Sequence, residues 1–127
     1  MHMAPRIYVI HRHDATKLHW DLRLEKNGVL KSWAVTKEPS DDVSVKRLAV
    51  ETTDHALAYA SFEGEIKEGY GKGSVKIWDS GTFEEQEWKP GKIIVKISGR
   101  KLNGTYVLIR PKTFELGNWL FFRKKGD

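Results

Sequence analysis

Between His11 and Glu25 the chain concentrates side chains that bind metal and phosphate: His11, Arg12, His13, Asp14, then His19, Asp21, Arg23 and Glu25. From Leu18 onward the stretch alternates, with Leu18, Trp20, Leu22 and Leu24 on one side and His19, Asp21, Arg23 and Glu25 on the other. Period two is the signature of a β-strand with one apolar and one polar face. In a helix each residue turns by roughly 100°, so His19 and Asp21 would stand about 200° apart and could not share a ligand. On a strand they are same-side neighbours roughly 7 Å apart along the backbone, within side-chain reach of one ion. His13, reached across the polar segment Asp14–Lys17, completes a set of two imidazoles and one carboxylate. Such a set suits Mn²⁺, Fe²⁺ or Zn²⁺, the carboxylate favouring harder ions. Arg23 cannot ligate a metal, and its forked guanidinium is shaped for a pair of phosphate oxygens. A metal set with an arginine beside it predicts phosphoryl chemistry, the ion acting as Lewis acid or as source of hydroxide.

The elements that must hold these groups follow from turn chemistry. Ile7–Ile10 is a short β-prone run, and Leu18–Glu25 and Val29–Val35 flank Lys26-Asn27-Gly28, where Asn-Gly predicts a tight hairpin. Lys37–Ser44 reads as a loop and Arg47–Thr52 as a strand. Asp54–Tyr59 reads as a turn followed by one helical turn, and Gly64, Gly69, Gly71 and Gly73 mark a bent connection. Ser74–Trp78 and Thr82–Glu87 are expected to flank a second hairpin at Asp79-Ser80-Gly81. Lys92–Ile97 alternates cleanly. A third hairpin is expected at Asn103-Gly104, ahead of Thr105–Arg110, and Asn118–Arg123 forms a last aromatic strand. About eight short strands with hardly any helical pattern describe an all-β, single-domain antiparallel β-barrel. Closure would turn a polar, metal-binding strand face toward the interior.

Composition narrows the classes. The 127 residues suit one core, spanning residues 1–127, with residues 1–6 as a flexible N-terminal arm. The absence of cysteine excludes a disulfide framework, thiolate metal sites and a cysteine nucleophile. No apolar run reaches the about 20 residues of a membrane span. Met1–Arg6 has no apolar signal-peptide core, and Met1-His2-Met3 reads in part as an expression remnant. A soluble, cytoplasmic monomer is the expectation. The net charge is +5: residues 1–64 carry nine basic and nine acidic side chains, residues 65–127 thirteen and eight. That excess fits either a polyanion partner or a lysine-rich solvated surface.

Outside the first cluster, His55 has the near-neutral pKa of an acid, base or phosphate donor, and equally suits an ordinary loop. Gly69-Tyr70-Gly71-Lys72-Gly73 offers backbone N–H groups and a lysine to a nucleic-acid backbone, or is simply a bend. Trp33, Trp78, Trp88 and Trp119 are most economically core or rim aromatics.

The run His13-Asp14-Ala15-Thr16-Lys17-Leu18-His19-Trp20-Asp21-Leu22-Arg23-Leu24-Glu25 closely resembles the signature of the 3′-phosphoesterase domain of bacterial non-homologous end-joining DNA ligases, which also occurs as a stand-alone protein. Further matches are Lys31–Val35, Lys46–Glu51 before Asp54-His55, Phe62-Glu63-Gly64, Tyr70–Val75, Trp78–Gly81, and Leu102–Thr105 with Arg110. The resemblance, running from about Ile7 to Arg123, implies an eight-stranded barrel and a Mn²⁺-dependent enzyme, with Co²⁺ or Zn²⁺ as alternative ions. It would remove a 3′-terminal ribonucleoside as a phosphodiesterase and a 3′-phosphate as a phosphomonoesterase. Position by position it implies His13, His19 and Asp21 as metal ligands, Arg23 and His55 as phosphate-binding catalytic residues, and Tyr59 as a further catalytic residue. The implied partners are DNA or RNA/DNA 3′ ends at primer–template junctions, and a ligase or polymerase on a separate chain. Two departures stand out: the Glu68-Gly69-Tyr70 loop looks one residue shorter than the form common in ligase-linked domains. The arm before Ile7 is also short, leaving Arg6 as its one arginine able to bind phosphate. The rival classes are a non-catalytic nucleic-acid-binding barrel and a metal phosphoesterase acting on RNA ends or small phosphate esters.

Overall fold

A computed structural model describes residues 5–69 and 71–126; Met1-His2-Met3 and Tyr70 of the glycine-rich connection lie outside the described residues. The strands are β1 (Arg6–Asp14), β2 (Leu18–Lys26), β3 (Val29–Val35), β4 (Arg47–Ala56), β5 (Gly64–Ile66), β6 (Gly73–Lys89), β7 (Lys92–Ser98), β8 (Asn103–Ile109) and β9 (Asn118–Arg123). A short 3₁₀ helix, Leu57–Ser61, follows β4. The sheet runs β1-β2-β3-β4-β9-β8-β7-β6, and β6 pairs back onto β1, so eight antiparallel strands close a ring while β5 adds to β6. No described helix is long and apolar enough to cross a membrane.

Alternation decides what fills the ring. Tyr8 and Ile10 of β1, Leu22 and Leu24 of β2, Trp33 and Val35 of β3, Phe83, Ile97, Tyr106, Leu108 and Phe121 form one buried apolar cluster. Full burial of each aliphatic side chain contributes about 1.5–3 kcal/mol. The polar residues of β1 and β2 occupy the other face of the same strands, and they are buried as well: His11, His13, Asp21 and Arg23 are each less than 10% exposed. The 3₁₀ helix packs on β1, β3 and β4, and its Tyr59 lies against His11 and Arg23.

The first hairpin forms as the turn chemistry requires, with φ of 54° at Asn27 and 81° at Gly28. It aligns Lys26 with Val29, and therefore Arg23 with Ser32. Strand β1 runs past Ile10 to Asp14, placing His13 directly opposite His19. The helical turn expected near Tyr59 is present, but Asp54 and His55 belong to β4.

Two expected hairpins are corrected. Asp79-Ser80-Gly81 is no turn; it lies inside the continuous 17-residue β6. This strand changes partner midway, pairing with β1 up to Phe83 and with β7 from Thr82 onward. Gly81 is required by that crossing, because a Cβ there would stand 2.0 Å from the Ser98 carbonyl oxygen. Gly81→Ala is therefore expected to cost about 2–3 kcal/mol, read as a lower urea midpoint at unchanged slope. The third turn sits at Gly99–Leu102, where the Gly99 N–H donates to the Leu102 carbonyl at 2.9 Å. Asn103 and Gly104 are already in β8, opposite Ser98 and Ile97. Asp79 causes the shift: it accepts from the backbone N–H groups of Arg100, Lys101 and Leu102 and so holds the turn ahead of the Asn-Gly pair.

Candidate metal centre and phosphate site

The β1–β2 register brings the three expected ligands together. His13 and His19 are a cross-strand pair, and Asp21 lies opposite His11 on the same face. One ligand atom from each of His13, His19 and Asp21 lies within 4.8 Å of the others. His13 Nδ1 is 3.3 Å from Asp21 Oδ2, and His19 Nε2 is 3.3 Å from Asp21 Oδ1.

The far nitrogens are committed elsewhere. His13 Nε2 is 2.6 Å from the Gly71 carbonyl, and His19 Nδ1 is 3.0 Å from the Lys17 carbonyl. A carbonyl only accepts, so the protons sit on those nitrogens and His13 Nδ1 and His19 Nε2 keep their lone pairs for an ion. This outer bracing of metal-binding histidines is what fixes tautomer and ring orientation in metal sites. The donor set fits a divalent metal ion. The cluster also balances its own charge. The hydrogen bond to Asp21 raises the His19 pKa against the opposing effect of burial. Burial alone would raise Asp21, but the His19 hydrogen bond and the Arg23 charge outweigh it and hold the carboxyl below its ordinary range.

Arg23 is buried at the centre of a polar web. Its Nε donates to His11 Nδ1 at 3.1 Å, Nη1 donates to Ser32 Oγ at 2.8 Å and lies 3.1 Å from His55 Nδ1, and Nη2 donates to Asp21 Oδ2 at 3.3 Å. A guanidinium has five N–H bonds, so one Nη2 N–H is left without a protein acceptor among the described residues. Tyr59 lies across the group, its ring centre 4.9 Å from Arg23 Cζ and 4.7 Å from the His55 ring.

His55 reaches this face through a bulge. Ser32 pairs with Thr52 and Leu30 with His55, so β4 spends three residues where β3 spends two. The extra residue turns His55 back to the side of Thr52 and Arg23; without it, alternation would aim it away. His55 Nδ1 lies 3.0 Å from the Thr53 carbonyl as well as 3.1 Å from Arg23 Nη1. It can donate to the first or accept from the second, not both. When it accepts, Nε2 carries the proton and becomes a neutral donor; when it donates, the neutral ring offers a lone pair at Nε2. Burial and the Arg23 charge together lower the His55 pKa, favouring the uncharged ring.

These groups open on a cavity of about 770 Å³ whose walls include His13, His19, Asp21, Arg23, His55 and Tyr59. All six residues singled out in the sequence therefore share one cavity. Lys72 of the glycine-rich connection also lines it. Arg6 does not join it: it opens β1, and its Nη1 donates to Glu85. Two participants went unnoticed at the level of sequence, Ser32 and the Gly71 carbonyl. Ser32 was legible in principle, since the Asn27-Gly28 turn dictates that it faces Arg23. Gly71 was not, because nothing local ties it to a histidine 58 residues away.

The class this defines is a closed antiparallel barrel carrying, against a buried arginine, a two-histidine, one-carboxylate group that could hold a metal ion. Residues 11–110 match the family model of the DNA Ligase D 3′-phosphoesterase domain. The chain belongs to that family. The multifunctional non-homologous end joining protein LigD of Mycobacterium bovis is 46% identical over 125 residues, a match covering 94% of this chain and 16% of that protein. The protein of the same name from Pseudomonas aeruginosa is 47% identical over 109 residues, covering 81% of this chain and 13% of that protein. That from Mycolicibacterium smegmatis is 42% identical over 132 residues, covering 94% and 17%. The chain thus spans about a sixth of the length of these relatives.

Proposed function

We propose that this protein is a Mn²⁺-dependent enzyme that processes DNA 3′ ends, removing a terminal ribonucleoside or a 3′-phosphate to leave a 3′-hydroxyl for repair. The observation that supports it best is the sharing of one carboxylate: Asp21 lies 3.3 Å from each ligating histidine nitrogen and 3.3 Å from Arg23 Nη2. A phosphate oxygen directed at an ion on that set would meet Arg23 Nη2, one of whose N–H groups has no acceptor among the described residues. His13, His19 and Asp21 would hold the ion, which would supply Lewis acidity toward a phosphoryl oxygen. Arg23 neutralises charge that develops on the phosphoryl group, and His55 Nε2, with Nδ1 accepting from Arg23, donates a hydrogen bond to the same group. Tyr59 covers Arg23 and His55 and keeps water from the guanidinium face. The description of the family, DNA Ligase D 3′-phosphoesterase domain, and the names of the relatives, multifunctional non-homologous end joining proteins, support a DNA end as substrate and a ligase as functional partner; a polymerase extending the 3′-hydroxyl belongs to the same proposal.

The test is a primer–template bearing a 3′-phosphate. Phosphate release that requires Mn²⁺ and stops with chelator is expected; turnover without added metal rejects the reading. Parallel incubations with a 3′-terminal ribonucleotide, an RNA 3′ end and a small phosphate ester separate the substrate classes. Salt-sensitive DNA binding with an unaltered 3′ end would instead identify a non-catalytic binding barrel.

Arg23→Lys keeps a positive charge but loses the fork. Because removal of one preorganised charge-stabilising donor costs about 10²–10³ in rate, kcat should fall about 100-fold while Mn²⁺ affinity changes only a few-fold. A matching loss of metal in a binding titration would mean that the arginine maintains the ion's site rather than the phosphate's.

A further inference from the structure

We infer that His11 is a positioning residue, a neutral imidazole that locks the Nε–H edge of Arg23 and thereby aims at the phosphate the Nη2 N–H that has no acceptor among the described residues. The inference rests on the reading of Arg23 as a phosphate-binding group. His11 is completely buried. Its Nδ1 lies 3.1 Å from Arg23 Nε; since Nε can only donate, Nδ1 carries a lone pair and the ring proton is on Nε2. The contact is dictated by register: Val9 faces Arg23 across the β1–β2 pair, and His11 is the next β1 residue on the same face. His11 also meets Tyr59 edge-on, ring centres 5.3 Å apart at 69°, while Tyr59 covers Arg23. One imidazole therefore braces both the guanidinium and its lid.

The guanidinium inventory shows what the lock does. Ser32, His55 and Asp21 hold Nη1 and Nη2 at the far end, but His55 can exchange Arg23 for the Thr53 carbonyl. During that exchange the plane is held by Ser32 and Asp21 at one end and by His11 at the other. Without His11, the side chain can pivot at Nε, and a misplacement of about 1 Å is enough to cost on the order of 100-fold in rate.

The experiment compares His11→Leu, which removes the acceptor, with His11→Asn, whose side-chain oxygen can occupy the place of Nδ1. It uses the full chain with Mn²⁺ and the 3′-phosphate primer–template. His11→Leu should lower kcat about 10- to 100-fold, with Mn²⁺ affinity within about threefold and the circular dichroism spectrum unchanged. His11→Asn should recover most of the loss. In a proton–nitrogen correlation spectrum the Arg23 Nε–H signal should be slow to exchange in the wild type and in His11→Asn, and lost to solvent exchange in His11→Leu. Added to Arg23→Ala, His11→Leu should cost nothing more. A wild-type rate in His11→Leu, an Nε–H signal that survives it, or a loss that multiplies that of Arg23→Ala would each overturn the inference. If the wild type leaves the primer intact, the proposed function falls, and the Nε–H signal alone still decides whether His11 locks Arg23.

Discussion

Asp21→Asn is expected to abolish metal-dependent activity, with a fall of at least about 10³-fold, and to weaken Mn²⁺ binding by more than about 100-fold. The second figure is a floor, because losing a residue that merely supports a metal ligand already costs about 10–100-fold. The substitution preserves shape and one acceptor but exchanges the other acceptor for an N–H₂ donor. In one orientation that donor faces His19 Nε2, competing for its lone pair; in the other it faces both His13 Nδ1 and the guanidinium, donor against donor. Arg23 would keep its charge in a buried setting with its only carboxylate partner among the described residues gone. A stability loss of about 1–3 kcal/mol follows, less than full removal of a buried partner would cost, so the variant should remain folded at room temperature. In the metal-free variant His19 should titrate at lower pH than in the wild type, since the Asp21 hydrogen bond is what raises it. Isothermal titration with Mn²⁺ and a phosphate-release assay check the main effect. Wild-type metal affinity in this variant would place the ion somewhere other than between His13, His19 and Asp21.

The largest effect on stability is expected away from the cavity. Asp79 is 2% exposed and accepts from the Tyr8 hydroxyl at 2.7 Å and from the amides of Arg100, Lys101 and Leu102 at 2.8, 3.0 and 3.0 Å. Asp79→Ala leaves all four donors without their acceptor and releases the β7–β8 turn. With hydrogen bonds to a charged group contributing about 1.5–3 kcal/mol each and not additively, the expected cost is about 3–5 kcal/mol. That is a large part of a typical domain's stability of about 5–15 kcal/mol. Mn²⁺ affinity and turnover per folded molecule should be unchanged.

The pH dependence has a definite sign. Burial alone would raise the Asp79 pKa, but the hydrogen bonds from Leu102, Tyr8, Lys101 and Arg100 outweigh it and hold the folded value below the ordinary carboxylate range. A depressed folded pKa contributes stability that is complete above the unfolded value, about 3.9, and is lost as pH falls through the lower, folded value. Urea unfolding should therefore show the widest gap between wild type and Asp79→Asn near neutral pH. The gap should narrow below about pH 4. A gap that stays constant down to pH 2.5 would mean that the carboxylate charge contributes nothing to the clamp.

Much of the centre was legible in the linear order of residues, because it is built from one hairpin and its neighbour. Period two from Leu18 to Glu25 assigns each side chain to a face, and Asn27-Gly28, which tolerates positive φ, dictates that Arg23 faces Ser32. From those local rules His19, Asp21 and Arg23 must share a surface. Closure into a ring decided the rest. Asp79-Ser80-Gly81 has the composition of a turn, yet it lies within a strand, because its carboxylate finds donors 21 to 23 residues further on and its bare Cα lets the Ser98 carbonyl approach. The same contacts moved the third turn ahead of Asn103-Gly104. His55 owes its direction to one surplus residue in β4, and a bulge is defined only against a partner strand. Gly71 supports His13 only because β5 and β6 fold the glycine-rich segment back over β1. Periodicity and turn preference act between residues a few positions apart and are written in the order of the chain. Which backbone groups meet across the closed barrel depends on every strand at once, and only the assembled structure specifies it.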